Sequence, residues 1–289
     1  MPFHEVVSRR RRPPPPGRPV VFRQDGRIDE AFRHHYSLGV ERDRLVGGGD
    51  HLELVRTLEL LAQVLPPPPA RLLDVGGGPG VYASRLARAG YDVELVDVLP
   101  LHVEQARERA AAQPDAPFEA AVADARDLSS HADGSVDAVL LLGPLYHLTD
   151  RDDRLRALTE ARRVVRVGGV VAAVAISRYA SLLDGTMQGF LDDPRFVAIV
   201  ERDLREGQHR NPENVEGWFT TSYFHLPAEL RAEVEEAGLE VERLAGVEGP
   251  GDWLGLWPDR PELVLRAARL GEDVPALSAH MLCVARKPA

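Results

Sequence analysis

A glycine-rich turn at residues 74–80 restricts the possible folds of this 289-residue chain more than any other feature of the sequence. The turn follows an apolar run at 71–73 and precedes a segment with helical spacing at 81–89. A strand, a glycine turn and a helix in this order form a nucleotide-binding corner, because glycine lets the backbone approach a ligand where a Cβ would collide. Asp74, two residues before the first glycine, would repel a pyrophosphate and suits a ligand that carries positive charge.

A second acid follows at the spacing that suits a ribose ligand. Residues 92–97 have the composition of a strand and end in Asp97, about 20 residues after the glycine turn. A carboxylate at that point can accept hydrogen bonds from both hydroxyls of a ribose. Three further signals follow in order, namely an acid at Asp124, an apolar run at 136–142, and paired glycines at 168–169 before another apolar run.

In these segments, which lie between residues 71 and 176, the chain resembles the class I S-adenosylmethionine-dependent methyltransferases. It departs from them at Val167, where the family usually has a proline, and we expect a looser turn there with no effect on the ligand. The resemblance implies S-adenosylmethionine as the cofactor and methyl transfer as the reaction. Gly78, Gly80 and Ala83 also fit a looser dinucleotide pattern, so an NAD(P)-dependent oxidoreductase and a non-catalytic S-adenosylmethionine-binding module stay open as alternatives.

The resemblance also implies where the cofactor binds. Asp97 would bind the ribose, and Asp124 the adenine amino group with the backbone amide of Ala125 beside it. A helix cap is the alternative role for Asp124, and Asp127 is a nearby competitor. The backbone at the end of the fourth strand would face the methionine part. The predicted cofactor-binding residues are Asp74, Gly76, Gly78, Gly80, Asp97, Val98, Asp124, Ala125, Leu142, Gly143, Tyr36 and Arg44.

The last two of these residues belong to a segment with helical spacing at 28–46, ahead of the first strand. Similar N-terminal helices in the family fold over the cofactor, so Tyr36 would lie near it and Arg44 could reach its carboxylate. A surface helix with Glu41 and Arg44 paired at helical spacing explains the same residues equally well.

The candidate catalytic residues are His147, His225 and Tyr146. A sulfonium is a good leaving group, so the protein must align the nucleophile, exclude water and remove a proton if the nucleophile carries one. A histidine can accept that proton near neutral pH, and His147 lies just past the fourth strand, beside the expected methyl group. His225 is the rival base, and Tyr146 and Tyr223 are candidates to position the acceptor. Loop hydrogen bonds, a helix cap and ordinary packing are the structural alternatives.

From residue 71 onward, predicted strands and helices alternate, which is typical of a parallel sheet covered on both faces. We therefore predict an α/β fold, a Rossmann-like doubly wound and mostly parallel sheet. The predicted strands are 71–75, 92–97, 118–123, 136–142 and 170–176, with a closing antiparallel pair at 239–244 and 279–286. The predicted helices are 51–65, 81–89, 100–112, 151–166 and 227–237.

The chain divides into a flexible arm rich in arginine and proline at 1–27 and a methyltransferase domain at 28–289. N-terminal cap helices occupy 28–65 of that domain. The alternation breaks at residues 177–226, a segment rich in aromatic residues. We expect this segment to be a substrate lid, because open α/β sheets bind ligands beyond the carboxyl ends of their strands.

The composition of the chain disfavours several classes of binding partner. The net charge of −10 opposes binding to nucleic acid and to anionic membranes. Cys283 is the only cysteine and should be buried and inert, so we expect no cysteine-based metal site, no disulfide framework and a cytoplasmic enzyme. Residues 142–145 lack the Asn/Asp-Pro-Pro-Tyr/Phe motif of enzymes that methylate nucleobase or glutamine nitrogens. The sequence therefore favours a small-molecule acceptor, on oxygen or nitrogen, and leaves the oligomeric state open.

Overall fold

The computed structural model of the protein describes residues 51–289. The expected arm at 1–27, the expected helix at 28–46 and the candidates Tyr36 and Arg44 lie outside the described residues. Within the described part of the chain, no helix is both long enough and apolar enough to cross a bilayer.

The core of the described chain is a mixed sheet with parallel central strands. In chain order the strands are β1 (Arg71–Val75), β2 (Asp92–Asp97), β3 (Glu119–Val122), β4 (Val136–Leu141), β5 (Val165–Ser177), β6 (Gln208–His209), β7 (Ser222–His225), β8 (Glu240–Gly246) and β9 (His280–Arg286). The spatial order β3-β2-β1-β4-β5 is parallel throughout, and β9 and then β8 continue it with antiparallel pairing. The predicted fold, including its closing antiparallel pair, is confirmed.

Helices cover both faces of the sheet. They are α1 (Leu52–Val64), α2 (Val81–Arg88), α3 (Pro100–Ala111), α4 (Pro144–His147), α5 (Arg151–Val164), α6 (Ala180–Gln188), α7 (Pro194–Glu206), α8 (Pro227–Glu236) and α9 (Pro261–Gly271). Side chains alternate along β1, so Leu72 packs with residues of α1, α2 and α3, whereas Leu73 packs with residues of α5 and α8. Burial on both faces explains why the central strands are apolar almost throughout.

The start of β5 differs from the sequence prediction. The strand begins at Val165 and not at residue 170, and its pairing with β4 shifts register because Val136 opposes Val165 while Ala138 opposes Val170. The intervening residues bulge out around Gly168, whose φ is +72°. A Cβ at Gly169 would lie 2.7 Å from the carbonyl oxygen of Asp137, so only glycine fits this close approach.

The segment 177–226 contains α6, α7, β6 and β7. Its strand β7 pairs in parallel with the last two residues of β5, Ile176 and Ser177. Because β4 pairs with β5 only as far as Ala173, β7 takes the position beyond the end of β4. The segment is therefore tied to the sheet at the edge where the site was predicted, and its role as a substrate lid stays a prediction.

Several aromatic side chains of this segment pack on one another. The ring centroid of Phe196 lies 4.9 Å from that of Trp218 and 5.4 Å from that of Phe190. His209 stacks on Phe224 at 4.9 Å. The rings thus form two groups, one of which packs on β5 through Phe224 and Ile176, and this is the ordinary packing role of such aromatic residues.

A buried ion pair joins α5 to α8. The Nε and Nη2 atoms of Arg154 donate to the two carboxylate oxygens of Glu233 at 2.9 and 2.7 Å, and Nη1 donates to the carbonyl oxygens of Leu148 and Thr149. Burial acts to raise the pKa of Glu233, but hydrogen bonds from His225 and Arg154 outweigh it and lower the pKa to about 2. The pair is thus ionised at neutral pH, and its contribution to stability is lost only as the pH falls from about 4.5 toward about 2.

We predict that Glu233→Ala lowers the free energy of unfolding by about 3–5 kcal/mol, because it leaves the buried Arg154 charge without its partner. The matched control is Glu236→Ala on the same helix, which removes an exposed pair with Arg151 and should cost far less. Urea unfolding of both variants at pH 7 measures the difference. Equal losses would show that the buried pair contributes no more than the exposed one.

Candidate cofactor and acceptor site

The glycine turn has the backbone geometry that its sequence predicts. Gly76, Gly78 and Gly80 have φ angles of +67°, +56° and +79°, a region that other residues adopt only with strain. A Cβ at Gly76 would lie 2.6 Å from the ring of Pro144, so this glycine lets the first residue of α4 pack against the turn. A Cβ at Gly78 would meet nothing within 4 Å, so Gly78 borders open space where a ligand can approach.

Asp74 is fully buried beneath the turn. Neither of its carboxylate oxygens has a hydrogen-bond partner of normal geometry among the described residues, although the Ala83 backbone amide is near enough to favour the charged form. Burial first, and then the charge of Asp97, raise the pKa of Asp74 to about 7. A buried acceptor without a donor is costly, and a cationic donor from a ligand would satisfy it.

Asp97 joins the glycine turn to the start of α3. Its Oδ2 accepts a hydrogen bond from the Gly78 amide at 2.9 Å, and its Oδ1 accepts one from the Leu99 amide at 2.8 Å. The Nδ1 atom of His102 lies 3.2 Å from the same Oδ1. The largely buried carboxylate and the half-buried Val98 that follows it therefore sit beside Gly78, where a ribose was expected.

Asp124 forms a salt bridge that the sequence analysis did not include. Arg126 donates from Nε and Nη2 to its two carboxylate oxygens at 3.0 and 2.7 Å, and from its backbone amide at 2.9 Å. Burial opposes ionisation, but Arg126 outweighs it and the pKa of Asp124 is lowered. Ala125 is half-buried and packs against the core on the α5 side of the sheet. An adenine amino group at Asp124 would share that carboxylate with Arg126.

The end of β4 brings the predicted catalytic residues beside the turn. A Cβ at Gly143 would lie 3.3 Å from the Gly76 carbonyl oxygen and 3.6 Å from Oη of Tyr146. Tyr146 donates from that hydroxyl to the Leu142 carbonyl oxygen at 3.4 Å. The His147 ring lies edge-on to the Tyr146 ring at 4.6 Å between centroids. Leu142, Gly143, Tyr146 and His147 thus form one group with the glycine turn.

His225 belongs to a different environment. It is fully buried in β7, with Nε2 at 3.3 Å from Glu233, and its Nδ1 has no hydrogen-bond partner among the described residues. Burial lowers the pKa of His225, although Glu233 opposes that shift. Tyr223 lies in the same network, since the guanidinium of Arg154 sits 3.7 Å from its ring centroid. This burial argues against His225 as a base, and we assign both residues to the link between β7, α5 and α8.

Three residues that the sequence analysis missed come together beyond β5. His280 opens β9 opposite Ile176, and its Nδ1 lies 2.5 Å from Glu248. One ligand atom each from Glu53, Glu248 and His280 lie within 4.8 Å of one another. Two carboxylates and an imidazole are ligands that divalent metals accept, whereas the sequence analysis considered only a cysteine-based metal site. The register between β5 and β9 was the available signal for His280, and Glu53 and Glu248 lie in no motif.

Known proteins match the part of the chain that builds the glycine corner. Residues 72–169 match the family model described as a methyltransferase domain. A ubiquinone biosynthesis O-methyltransferase of Xanthomonas axonopodis pv. citri is 29% identical over 190 residues, which cover 66% of this chain and 71% of that enzyme. These matches support a class I S-adenosylmethionine-dependent methyltransferase, with its methyltransferase domain at residues 72–169. S-adenosylmethionine is therefore its cofactor, and the NAD(P)-dependent alternative is set aside.

Two further likenesses extend this finding. A tRNA 5-carboxymethoxyuridine methyltransferase of Escherichia coli K12 is 26% identical to the methyltransferase over 209 residues, which cover 70% of this chain and 71% of that enzyme. The crystal structure of a SAM-dependent methyltransferase from Methanosarcina mazei matches with a TM-score of 0.56 at 22% identity, and covers 79% of this chain and 97% of that one. At this level of identity, the match to the Methanosarcina mazei structure shows only that the two folds are alike.

The described residues fit the cofactor. S-adenosylmethionine carries an amino group and a sulfonium, and the unsatisfied carboxylate of Asp74 suits such a cationic donor. Asp97 holds its carboxylate against Gly78, which borders open space, and carboxylate oxygens can accept further hydrogen bonds from a ribose diol. The individual contacts stay proposals. All predicted cofactor residues within the described chain lie in the segment that the family model matches, whereas Glu53, Glu248 and His280 lie outside it.

We predict that Asp97→Ala weakens binding of S-adenosylmethionine by about 1–3 kcal/mol, because the ribose hydroxyls and the Gly78 amide each lose an acceptor. Asp92→Ala, at the exposed opposite end of the same strand, is the control and should bind like the wild type. Titration calorimetry with S-adenosylhomocysteine and S-adenosylmethionine compares the three proteins. Unchanged affinity in Asp97→Ala would remove this residue from the ribose site.

The raised pKa of Asp74 predicts a pH-dependent affinity. A cationic amine stabilises the ionised carboxylate, so affinity for S-adenosylmethionine should rise as the pH increases from about 5.5 to about 7.5, with proton release on binding. The cofactor amine remains largely charged over this range. Asp74→Asn should bind weakly without this pH dependence. Calorimetry in buffers of different ionisation enthalpy measures the protons released, and no release at pH 6.5 would contradict the assignment.

Proposed function

We propose that this methyltransferase acts on a small-molecule acceptor, at an oxygen or a nitrogen atom. The observation that carries the proposal is a set of partly buried aromatic side chains, Tyr146, Phe219 and Trp253, packed around Ile176 and its neighbours at the carboxyl end of β5. Aromatic side chains with accessible area suit a flat, apolar acceptor. This position adjoins the cofactor corner, since Tyr146 also bonds to the end of β4.

In this reaction the protein's own residues would position the cofactor and the acceptor. When bound, S-adenosylmethionine supplies a methyl group on a sulfonium, which leaves readily. Asp74 would face the cationic part of the cofactor and Asp97 its ribose, and the Leu142 and Gly143 backbone would border its methionine part. Tyr146, fixed by its bond to the Leu142 carbonyl, would align the acceptor with the methyl group. The 177–226 segment would exclude water from the reacting atoms.

The relatives support a small acceptor in part. One relative is, by its name, an O-methyltransferase of ubiquinone biosynthesis, and another acts on tRNA. The net charge of −10 disfavours a polyanion here, which is why we place the small molecule first. A cytoplasmic location also stays a prediction.

We predict that the purified enzyme transfers labelled methyl groups from S-adenosylmethionine to aromatic hydroxyl or amine compounds and not to tRNA. The panel contains 3,4-dihydroxybenzoate, substituted catechols, phenols, anilines and cellular tRNA that carries its modified uridines. Scintillation counting and mass spectrometry identify the product. Asp97→Ala should lose activity at low cofactor concentration and recover at high concentration. Labelled tRNA with no labelled small molecule would overturn the proposal.

A further inference from the structure

Glu248 and His280 form a pair at the acceptor end of the sheet. The pair lies at the carboxyl end of β5, because His280 opposes Ile176 in the β5–β9 register. The His280 ring is 6.3 Å from the Tyr146 ring between centroids, and Ile176 packs in the same cluster as Tyr146 and Trp253. The pair therefore borders the aromatic residues that carry the proposed function.

Glu248 fixes the tautomer of His280. One carboxylate oxygen accepts the His280 backbone amide at 3.0 Å, and the other lies 2.5 Å from Nδ1. A carboxylate can only accept, so Nδ1 carries the hydrogen, and in the neutral ring Nε2 then carries the lone pair. Both contacts come from the same residue, so the imidazole is held in one orientation.

Two acidic side chains near the His280 imidazole would stabilise a positive charge on it. Glu248 is 1% exposed and Glu53 is 6% exposed, so two acids that water scarcely reaches lie beside one histidine. If Nε2 takes a proton, the imidazolium that forms is stabilised by a carboxylate already in contact with its other nitrogen. A histidine oriented by an acid, beside the proposed acceptor position, has the arrangement of a general base.

We propose that His280, oriented by Glu248, accepts the proton of a hydroxyl acceptor during methyl transfer. This inference rests on the proposed function and narrows it to an aromatic hydroxyl. The acceptor O–H bond breaks and its proton moves to Nε2 of His280, while the oxygen forms a bond to the methyl carbon. The carbon–sulfur bond breaks, its electron pair stays on sulfur, and the sulfonium becomes a neutral thioether. His280 then returns the proton to solvent.

The first experiment compares His280→Gln, Glu248→Gln and the wild type, with 3,4-dihydroxybenzoate and catechol as acceptors and saturating S-adenosylmethionine. His280→Gln should lower kcat by roughly 10²–10⁴-fold without weakening cofactor binding. Glu248→Gln, a positioning change, should lower kcat less and shift the acid limb of the pH–rate profile. The matched control is His131→Gln, which removes another buried histidine paired with a glutamate, at 3.0 Å from Glu94, and should keep full activity.

A base role has two further signatures. Imidazole in the buffer should restore activity to His280→Ala but not to His147→Ala. An acceptor that is already ionised, such as 4-nitrocatechol, should show a much smaller loss in His280→Gln than catechol shows. Full activity of His280→Gln, equal losses for both acceptors, or rescue of His147→Ala alone would overturn the assignment. A metal requirement would also overturn it. The sign of such a requirement is activity that chelators abolish and that Mg²⁺ or Mn²⁺ restores only when Glu53, Glu248 and His280 are intact.

One measurement needs no acceptor and separates this inference from the proposed function. In protein labelled with ¹⁵N-histidine, long-range NMR correlations should show a neutral ring protonated at Nδ1, which disappears in His280→Gln and changes in Glu248→Gln. A ring protonated at Nε2 would overturn the inference even if a small acceptor is methylated. If the ring is protonated at Nδ1 but the enzyme methylates only tRNA, the proposed function is overturned. The assignment of an aromatic hydroxyl as the acceptor then falls with it.

Discussion

The hydrogen bond from the Gly78 amide to the Asp97 carboxylate ties together the ends of the first two strands, and the cofactor corner depends on it. It requires a glycine turn that bends back over β2 with positive φ angles, and a carboxylate at the last position of that strand. Pro144, the first residue of α4, packs against Gly76 of the same turn, so α4 contacts the glycine turn. A single local geometry therefore brings the ends of the first, second and fourth strands together at the proposed cofactor site.

Polar groups on the two sides of β5 are satisfied in different ways. Beyond the end of β4, the network of Arg154, Glu233 and His225 is largely closed by its own pairs, which is the pattern of a structural support. Beside β9, Glu248 organises His280 next to aromatic side chains with accessible area. Two histidines near one strand end thus have opposite surroundings, and the sequence analysis named only His225.

The parts of the fold that the sequence predicted depend on local patterns. The apolar run at 136–142 and the glycine turn each specify their element without distant partners, and the alternation of strands and helices predicts a parallel sheet. The bulge before Val170 was missed because its cause is an approach to the Asp137 carbonyl across the sheet. Residues Glu53, Glu248 and His280 are far apart in sequence, and only tertiary packing and the β5–β9 register bring them together. Contacts between residues so far apart in the chain produce no motif with a characteristic spacing.

The segment 177–226 leaves the sheet at Ser177 and returns at His225, which is the partner of Ser177 in the parallel pairing of β5 with β7. Its two ends are thus neighbours, so the entropy of closing it grows only slowly with its length. Evolution can lengthen, shorten or replace this segment at small thermodynamic cost while the donor pocket stays intact. Descendants of one ancestral scaffold can in this way diversify the compounds they alkylate and inherit an unaltered source of methyl groups.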